Sequence, residues 1–338
     1  MKRFLGIDIG TSYAKIVESD LQKDTFTVTN AACVQLPQSA ILSDASLDRD
    51  ELSKKLKQII RDAGIKQNNA VVSLHESLVF TRILEMPPLS DKELVQALRW
   101  EAERYIPLPL DEVNMDFTVM EKENDHKKMS VAIVASPLRL IERYVELFRN
   151  ANIHIDALEN ESFSYLRLYK DASHSRMIVD FGDMKTGIYV LRKQALVLAR
   201  TISTGGSALT KAIIAEINVP TEKAVGYKQT YGLDPNQLDG RMIGVLSPLL
   251  NMITTELAQS ITYFKELYPN DVLHEVLLTG GGALMPQVAP YVQNKLQVQT
   301  GIANPWYAAT LPQAVRDRYG KLAPLFSVAT GLTLREHD

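Results

Sequence analysis

At 338 residues, with 46% hydrophobic and 23% charged side chains, the chain has the size and composition of a folded two-domain or two-lobed protein. A net charge of −3 argues against nucleic acid as the partner, because a phosphate backbone selects basic surfaces. A single cysteine, Cys33, excludes an internal disulfide framework and suits a reducing compartment, and no stretch approaches the roughly 18 apolar residues of a membrane span.

The chain opens on a short apolar strand, residues 4–9, whose run is cut by Asp8, so it is too short for a signal peptide. Asp8-Ile9-Gly10 makes an Asp-x-Gly turn with Thr11 and Ser12, and an alternating run over 13–18 returns as the second arm of a hairpin. Further on, the pattern predicts a strand to about 85, a helix over 91–105, strands over 113–120 and 129–135, and a helix over 137–150. The first of these helices sets Leu94, Ala97, Leu98 and Ala102 on one face. Trp100, Tyr105 and Ile106, each taken singly, suit a core position. They run, however, into Pro107-Leu108-Pro109-Leu110, whose prolines favour an ordered, non-helical ridge. An apolar ridge beside a helix offers a wall for a peptide, which makes Trp100, Tyr105, Ile106, Leu108 and Leu110 candidate partner contacts.

The middle of the chain repeats its beginning. Residues 177–183 form an apolar strand ending in Asp180-Phe181-Gly182-Asp183, and an alternating run over 186–191 follows. One Asp-x-Gly is ordinary turn chemistry. Two copies in matched strand contexts point to a duplicated α/β architecture, with the carboxylates of Asp8 and Asp180 facing each other across a cleft. Thr204-Gly205-Gly206-Ser207 precedes a helical stretch, and Thr279-Gly280-Gly281-Gly282-Ala283 follows a buried-type strand and leads to a helix with Pro286 near its first turn. Glycines there allow close backbone approach to a ligand, and helix N-termini present free N–H groups to anions.

These residue types suit a nucleoside triphosphate with its metal. Gly10, Thr11 and Ser12 supply amides and hydroxyls, Lys15 supplies a cation, and Asp8 and Asp180 suit hydrated Mg²⁺, which reaches a protein through few carboxylates. Rival devices are missing: there is no Gly-x-x-x-x-Gly-Lys-Ser/Thr, no Gly-x-Gly-x-x-Gly after a strand and no Gly-x-Ser-x-Gly. The six histidines show no metal-ligand spacing and read as surface or ordinary polar packing.

Residues 6–12, 179–182 and 278–283 resemble the two phosphate loops and the adenosine motif of the actin/Hsp70/sugar-kinase superfamily. A narrower likeness lies in 87–94, in Trp100-Glu101-Ala102-Glu103-Arg104-Tyr105-Ile106-Pro107, in Asp116-Phe117, in Tyr231-Gly232-Leu233 and in Ala329-Thr330-Gly331-Leu332. These are similar to the PilM family, actin-like proteins of type IV pilus assembly. The resemblance implies a two-lobed, actin-like (ribonuclease H-like) α/β fold with duplicated domains and an inserted subdomain of the kind found in the division protein FtsA. The first lobe would span 1–85, the insert 86–152, a return segment 153–172 and the second lobe 173–338, with the C-terminal helix returning to the first.

It also implies ATP and Mg²⁺ as ligands. Phosphate and nucleoside contacts would come from Asp8, Gly10, Thr11, Ser12, Lys15, Asp180, Gly182, Asp183, Thr186, Gly205, Gly206, Lys228, Gly280, Gly281 and Gly282, with the metal held through water by Asp8 and Asp180. Its implied partner is the cytoplasmic N-terminal tail of the inner-membrane protein PilN, docking near the insert and linking this chain indirectly to platform proteins and motor ATPases. The protein would then be cytoplasmic and reach the membrane only through partners; self-association is compatible with the fold. Two departures stand out. Lys228 is the one match to an Ala-Glu-x-x-Lys adenine motif, and the linker over 156–161 lacks a water-orienting glutamine. Asp180 and Glu159 are the candidate catalytic acids, and hydrolysis is expected to be slow. A sugar or acetate kinase would need a base and a polar grip for its acceptor, and neither stands out. An FtsA-like protein would be expected to end in an amphipathic helix, which the polar residues 333–338 do not supply, and a secretion-system relative of the GspL type would carry a span.

Overall fold

The computed structural model describes residues 2–22, 25–37, 46–123, 128–171 and 173–335; residues 336–338, part of the polar end noted above, lie outside them. Two sheets carry the duplication. In the first, strand Lys2–Ile9 pairs antiparallel with Tyr13–Gln22 and parallel with Asn69–Leu74, which in turn pairs with His154–Asn160. In the second, Ser175–Phe181 pairs antiparallel with Thr186–Arg192 and parallel with Leu273–Thr279. The same local pattern, a hairpin with a parallel neighbour on its first arm, therefore stands at the centre of both halves.

Alternation along Lys2–Ile9 explains why the first sheet is covered on both faces. Leu5, Ile7 and Ile9 point into a core with Leu52 and Leu56 of helix Ser46–Asp62 and with Tyr144 and Phe148 of helix Leu138–Asn150. Val17, Val28 and Ala31 pack against Trp306, Phe326 and Ala329 from the end of the chain. The short strand Ala309–Thr310 joins the edge of this sheet beside Thr25–Gln35. Helix Glu161–Tyr169, leading from the first sheet to the second, crosses helix Ser327–Thr333 at Gly331. A Cβ there would lie 2.2 Å from the Ser164 carbonyl oxygen, so only glycine permits the crossing.

The insert is a three-stranded sheet of Phe80–Met86, Lys128–Pro137 and Val113–Glu123, with the middle strand in sequence order lying at one edge. Helix Asp91–Tyr105 covers one face through Leu94 and Leu98, which meet Met129, Val131 and Ile133, and through Ala102, which meets Val113 and Ala135. A capping box starts this helix, with the Ser90 N–H donating to Glu93 at 2.9 Å. Ile106 ends it in extended geometry ahead of Pro107. Packing puts the edges of this unit at Phe80 and Pro137, shifted toward the N-terminus from the expected 86–152: the strand before 86 belongs to its sheet, and helix Leu138–Asn150 belongs to the core of the first lobe. The other face braces against the second lobe. Arg192 Nη1 donates to both oxygens of Glu121 at 2.8 and 2.9 Å, and its guanidinium lies 4.3 Å from the ring centre of Tyr268. No helix among the described residues is long and apolar enough to cross a membrane.

Candidate functional site

The tips of the two hairpins meet. Ser12 Oγ donates to Asp183 Oδ2 at 2.6 Å, joining the first turn to the second across 171 positions of sequence. Behind this contact, Asp8 is buried at the end of its strand, with Ser73 Oγ donating to Oδ1 at 2.8 Å and Lys15 Nζ 2.6 Å from Oδ2. Burial alone would depress the Lys15 ammonium, yet the charge and hydrogen bond of Asp8 hold it above its usual range. Asp8, expected as a metal ligand, is thus already neutralised by the chain's own lysine.

Asp180 differs. It is half-buried, and no ion pair or side-chain hydrogen bond engages its carboxylate among the described residues. Burial, then the neighbouring charge of Glu161, lifts its pKa to about 6 against the opposing pull of Lys185 and Lys15. Gly280 arches over it at φ +77°, and a Cβ there would sit 2.4 Å from Asp180 Oδ1. This left-handed, crowded position admits glycine alone. The glycines that follow form a 3₁₀ turn, Gly281–Leu284, and the α-helix begins only at Val288. Pro286 therefore precedes the helix instead of lying in its first turn, so no α-helix N-terminus abuts the triple glycine.

The second lobe contributes another cluster. Gly205 caps helix Gly206–Ile217, and Lys228, from helix Thr221–Thr230, donates to the Gly206 carbonyl and to Thr210 Oγ1, each at 2.7 Å. Burial lowers the Lys228 ammonium while Asp183 opposes that fall. Thr186 is buried and donates to the Thr204 carbonyl at 2.7 Å, and Gly206 N–H donates to the Gly182 carbonyl at 2.9 Å. Thr11, on the first hairpin, is buried as well. Ser12, Asp183 and the glycine turns thus stand with two lysines, Lys15 held by Asp8 and Lys228 held by Gly206 and Thr210. Asp180 presents a carboxylate that no side chain among the described residues engages. No group of three or more possible metal-ligating side chains exists among the described residues.

Glu159 does not join this site. Arg167 and Arg335 both bind its carboxylate, Arg167 Nη1 at 3.1 Å. The acid beside Asp180 is Glu161, two positions on, paired with Lys185 Nζ at 2.6 Å. Glu76 and His75 complete the cluster. Burial lifts the Glu76 carboxyl to about 7, and burial followed by the charge of Lys185 lowers the His75 imidazole to about 3, keeping it neutral beside Ser77 Oγ at 2.7 Å. Ser73, His75 and Glu76 escaped the sequence reading. The available signal was their place at the C-terminal end of Asn69–Leu74, the parallel neighbour of the strand bearing Asp8, since ligands of α/β sheets gather at such ends.

On the insert, the expected ridge divides. Trp100 is 76% exposed, which excludes it from the core. Ile106 is 8% exposed among Ala102, Val113 and Ala135, so it packs in the insert's core while also lining the cavity beside Tyr105, and Leu108 and Leu110 pack half-buried on the same cluster. Tyr105 is accessible, with the Arg82 guanidinium 4.0 Å from its ring centre. Beside them lies a cavity of about 220 Å³ lined by Phe80, Arg82, Leu84, Tyr105 and Ile133, along the edge strand of the inserted sheet.

A family model described as type IV pilus assembly protein PilM matches residues 6–337. In three dimensions the chain is similar to the solved PilM–PilN type IV pilus biogenesis complex, at 26% identity and a TM-score of 0.84 over 98% of each chain. It is 22% identical to the cell division protein FtsA of Bacillus subtilis (strain 168), over 90% of this chain and 79% of that protein. It shares the fold of MreB5 of Spiroplasma citri bound to ADP, at 13% identity and a TM-score of 0.55 over 98% of this chain and 95% of that one. With a matching family model over nearly its whole length and a duplicated actin-like fold, the chain belongs to the PilM family of type IV pilus assembly proteins.

Proposed function

We propose that this protein is an actin-like scaffold of type IV pilus assembly that holds an adenine nucleotide with Mg²⁺ between its lobes and docks the short cytoplasmic tail of PilN on the insert. The observation that carries the reading is the whole-chain likeness to a PilM solved together with PilN. Supporting it, the edge strand Phe80–Met86 and the cavity beside Tyr105 suit an extended peptide, which would gain backbone hydrogen bonds from the strand and an anchor from the cavity. Docking there would bring a chain without a membrane span of its own among the described residues to the inner membrane.

For the nucleotide, the hairpin turns, Lys15 and Lys228 would face the phosphates and nucleoside, and Asp180 would hold the hydrated cation. The cation would supply charge neutralisation between the phosphates and the buried acids. The test is thermal stabilisation by MgATP, which mass action sets at about 2.7 kcal/mol when the ligand stands at 100 times its Kd. Asp180→Asn should lose most of that stabilisation while keeping the fold. Equal stabilisation of parent and variant would place the metal elsewhere, and none in the parent would refute nucleotide binding.

A further inference from the structure

Glu161 is fastened to the opposite lobe. It begins helix Glu161–Tyr169 on the side of the first sheet, its side chain is 4% exposed, and both of its oxygens are engaged. Oε1 accepts the Glu76 backbone N–H at 3.3 Å, and Oε2 accepts Lys185 Nζ at 2.6 Å. Lys185 comes from the turn of the second hairpin, between Asp183 and Thr186, the segment that faces the first turn. Burial would strip its charge, but Glu161, Glu76 and Asp180 together keep it cationic. A lysine this buried is held by pairing, not by solvent.

Each of the other acids at this site has a different engagement. Asp8 is neutralised by Lys15, Asp183 accepts from Ser12 and Glu76 accepts Thr81 Oγ1 at 2.8 Å, while no side chain among the described residues pairs with Asp180. Glu161 is the acid among them whose cation, Lys185, stands in the turn of the second hairpin. We propose that Lys185 acts as a brake on ATP hydrolysis: its ion pair with Glu161 bridges the lobes and withholds that carboxylate from a water beside the terminal phosphate. The inference rests on the nucleotide reading above. In the restrained reaction the water oxygen bonds to the terminal phosphorus, and the bond from that phosphorus to the bridging oxygen breaks with its electron pair leaving on ADP. The proton of the water passes through a carboxylate to solvent. A carboxylate paired with an ammonium is a weaker proton acceptor, and with both oxygens already engaged it has fewer lone pairs left to draw a water. Turnover is slow while the pair holds and rises when Lys185 is drawn off.

The experiment measures kcat and KM for ATP, and separately the equilibrium affinity for a fluorescent ATP analogue, in the full chain. Lys185→Met should raise kcat at least tenfold with KM within threefold, Lys185→Arg should restore the brake, and Glu161→Gln/Lys185→Met should lose the gain. Should Lys185→Met fail to fold, Lys185→Gln, which keeps a hydrogen-bond donor for Glu161, is read in the same way with a smaller rise. Unchanged kcat with retained analogue binding overturns the brake. An affinity loss above tenfold also overturns it, by making Lys185 a phosphate ligand. Absence of analogue binding in the parent refutes the nucleotide reading, a result distinct from either.

Discussion

Glu76 provides a quantitative test of the buried charge cluster. Its side chain is 6% exposed, Oε2 has no hydrogen-bond partner among the described residues, and burial holds its carboxyl at about 7 instead of 4.5. Between those values the folded chain keeps a proton that the unfolded chain has released, so the fold loses stability as pH rises from about 4.5 to 7 and the loss levels off above. At about 1.4 kcal/mol per pH unit, the penalty at pH 8 is about 3 kcal/mol, and at pH 5 under ~1 kcal/mol. Glu76→Gln keeps the shape and the oxygen that accepts from Thr81 but cannot ionise. It should therefore stabilise the protein by about 2 kcal/mol more at pH 8 than at pH 5. At roughly 2 °C per kcal/mol for a chain of this size, Tm should rise by about 6 °C at pH 8 and by under about 2 °C at pH 5. Calorimetric melts of parent and variant at both pH values decide it. A variant less stable than the parent at pH 8 would show that Lys185, which opposes the rise, keeps Glu76 ionised and favourable, and that burial does not dominate.

Other substitutions separate core from surface. Trp100→Asp should leave stability within about 0.5 kcal/mol, whereas Ile106→Asp places a charge in the buried core of the insert and should cost about 3 kcal/mol or more. Urea melts of the two variants test this, and equal effects would contradict the assignment. Gly331→Val should cost about 3 kcal/mol, because its Cβ collides with the Ser164 carbonyl where the two helices cross. An unchanged midpoint would mean that the crossing opens freely.

The hairpins, the duplication and the glycine turns were legible because each is a local pattern: an alternating strand, an acid and a glycine at fixed offsets. The cluster of Glu76, Glu161 and Lys185 was not, since its members come from three segments joined only by sheet order and by the helix leaving His154–Asn160. Glu159 and Glu161 looked equivalent along the chain. Being two residues apart, one lies in the strand His154–Asn160 toward two arginines and the other opens a helix toward Lys185. The exposure of Trp100 was readable in principle. It lies about 200° around the helix from Leu98, off the stripe of Leu94, Leu98 and Ala102. The edges of the insert were hidden because strand Phe80–Met86 and helix Leu138–Asn150 carry the same periodicity whichever neighbour they bury against.

The most direct measurement of the scaffold function is a calorimetric titration of the synthetic N-terminal tail of PilN into the full chain and into Tyr105→Ala. The residue is exposed at the mouth of the cavity, so the variant should fold like the parent. The parent should bind one peptide, and the variant should bind about 30-fold more weakly, the equivalent of losing an anchor worth about 2 kcal/mol. Equal affinity in the two proteins would move the docking site off the insert, and a parent that binds no peptide would contradict its role as the dock for the membrane partner.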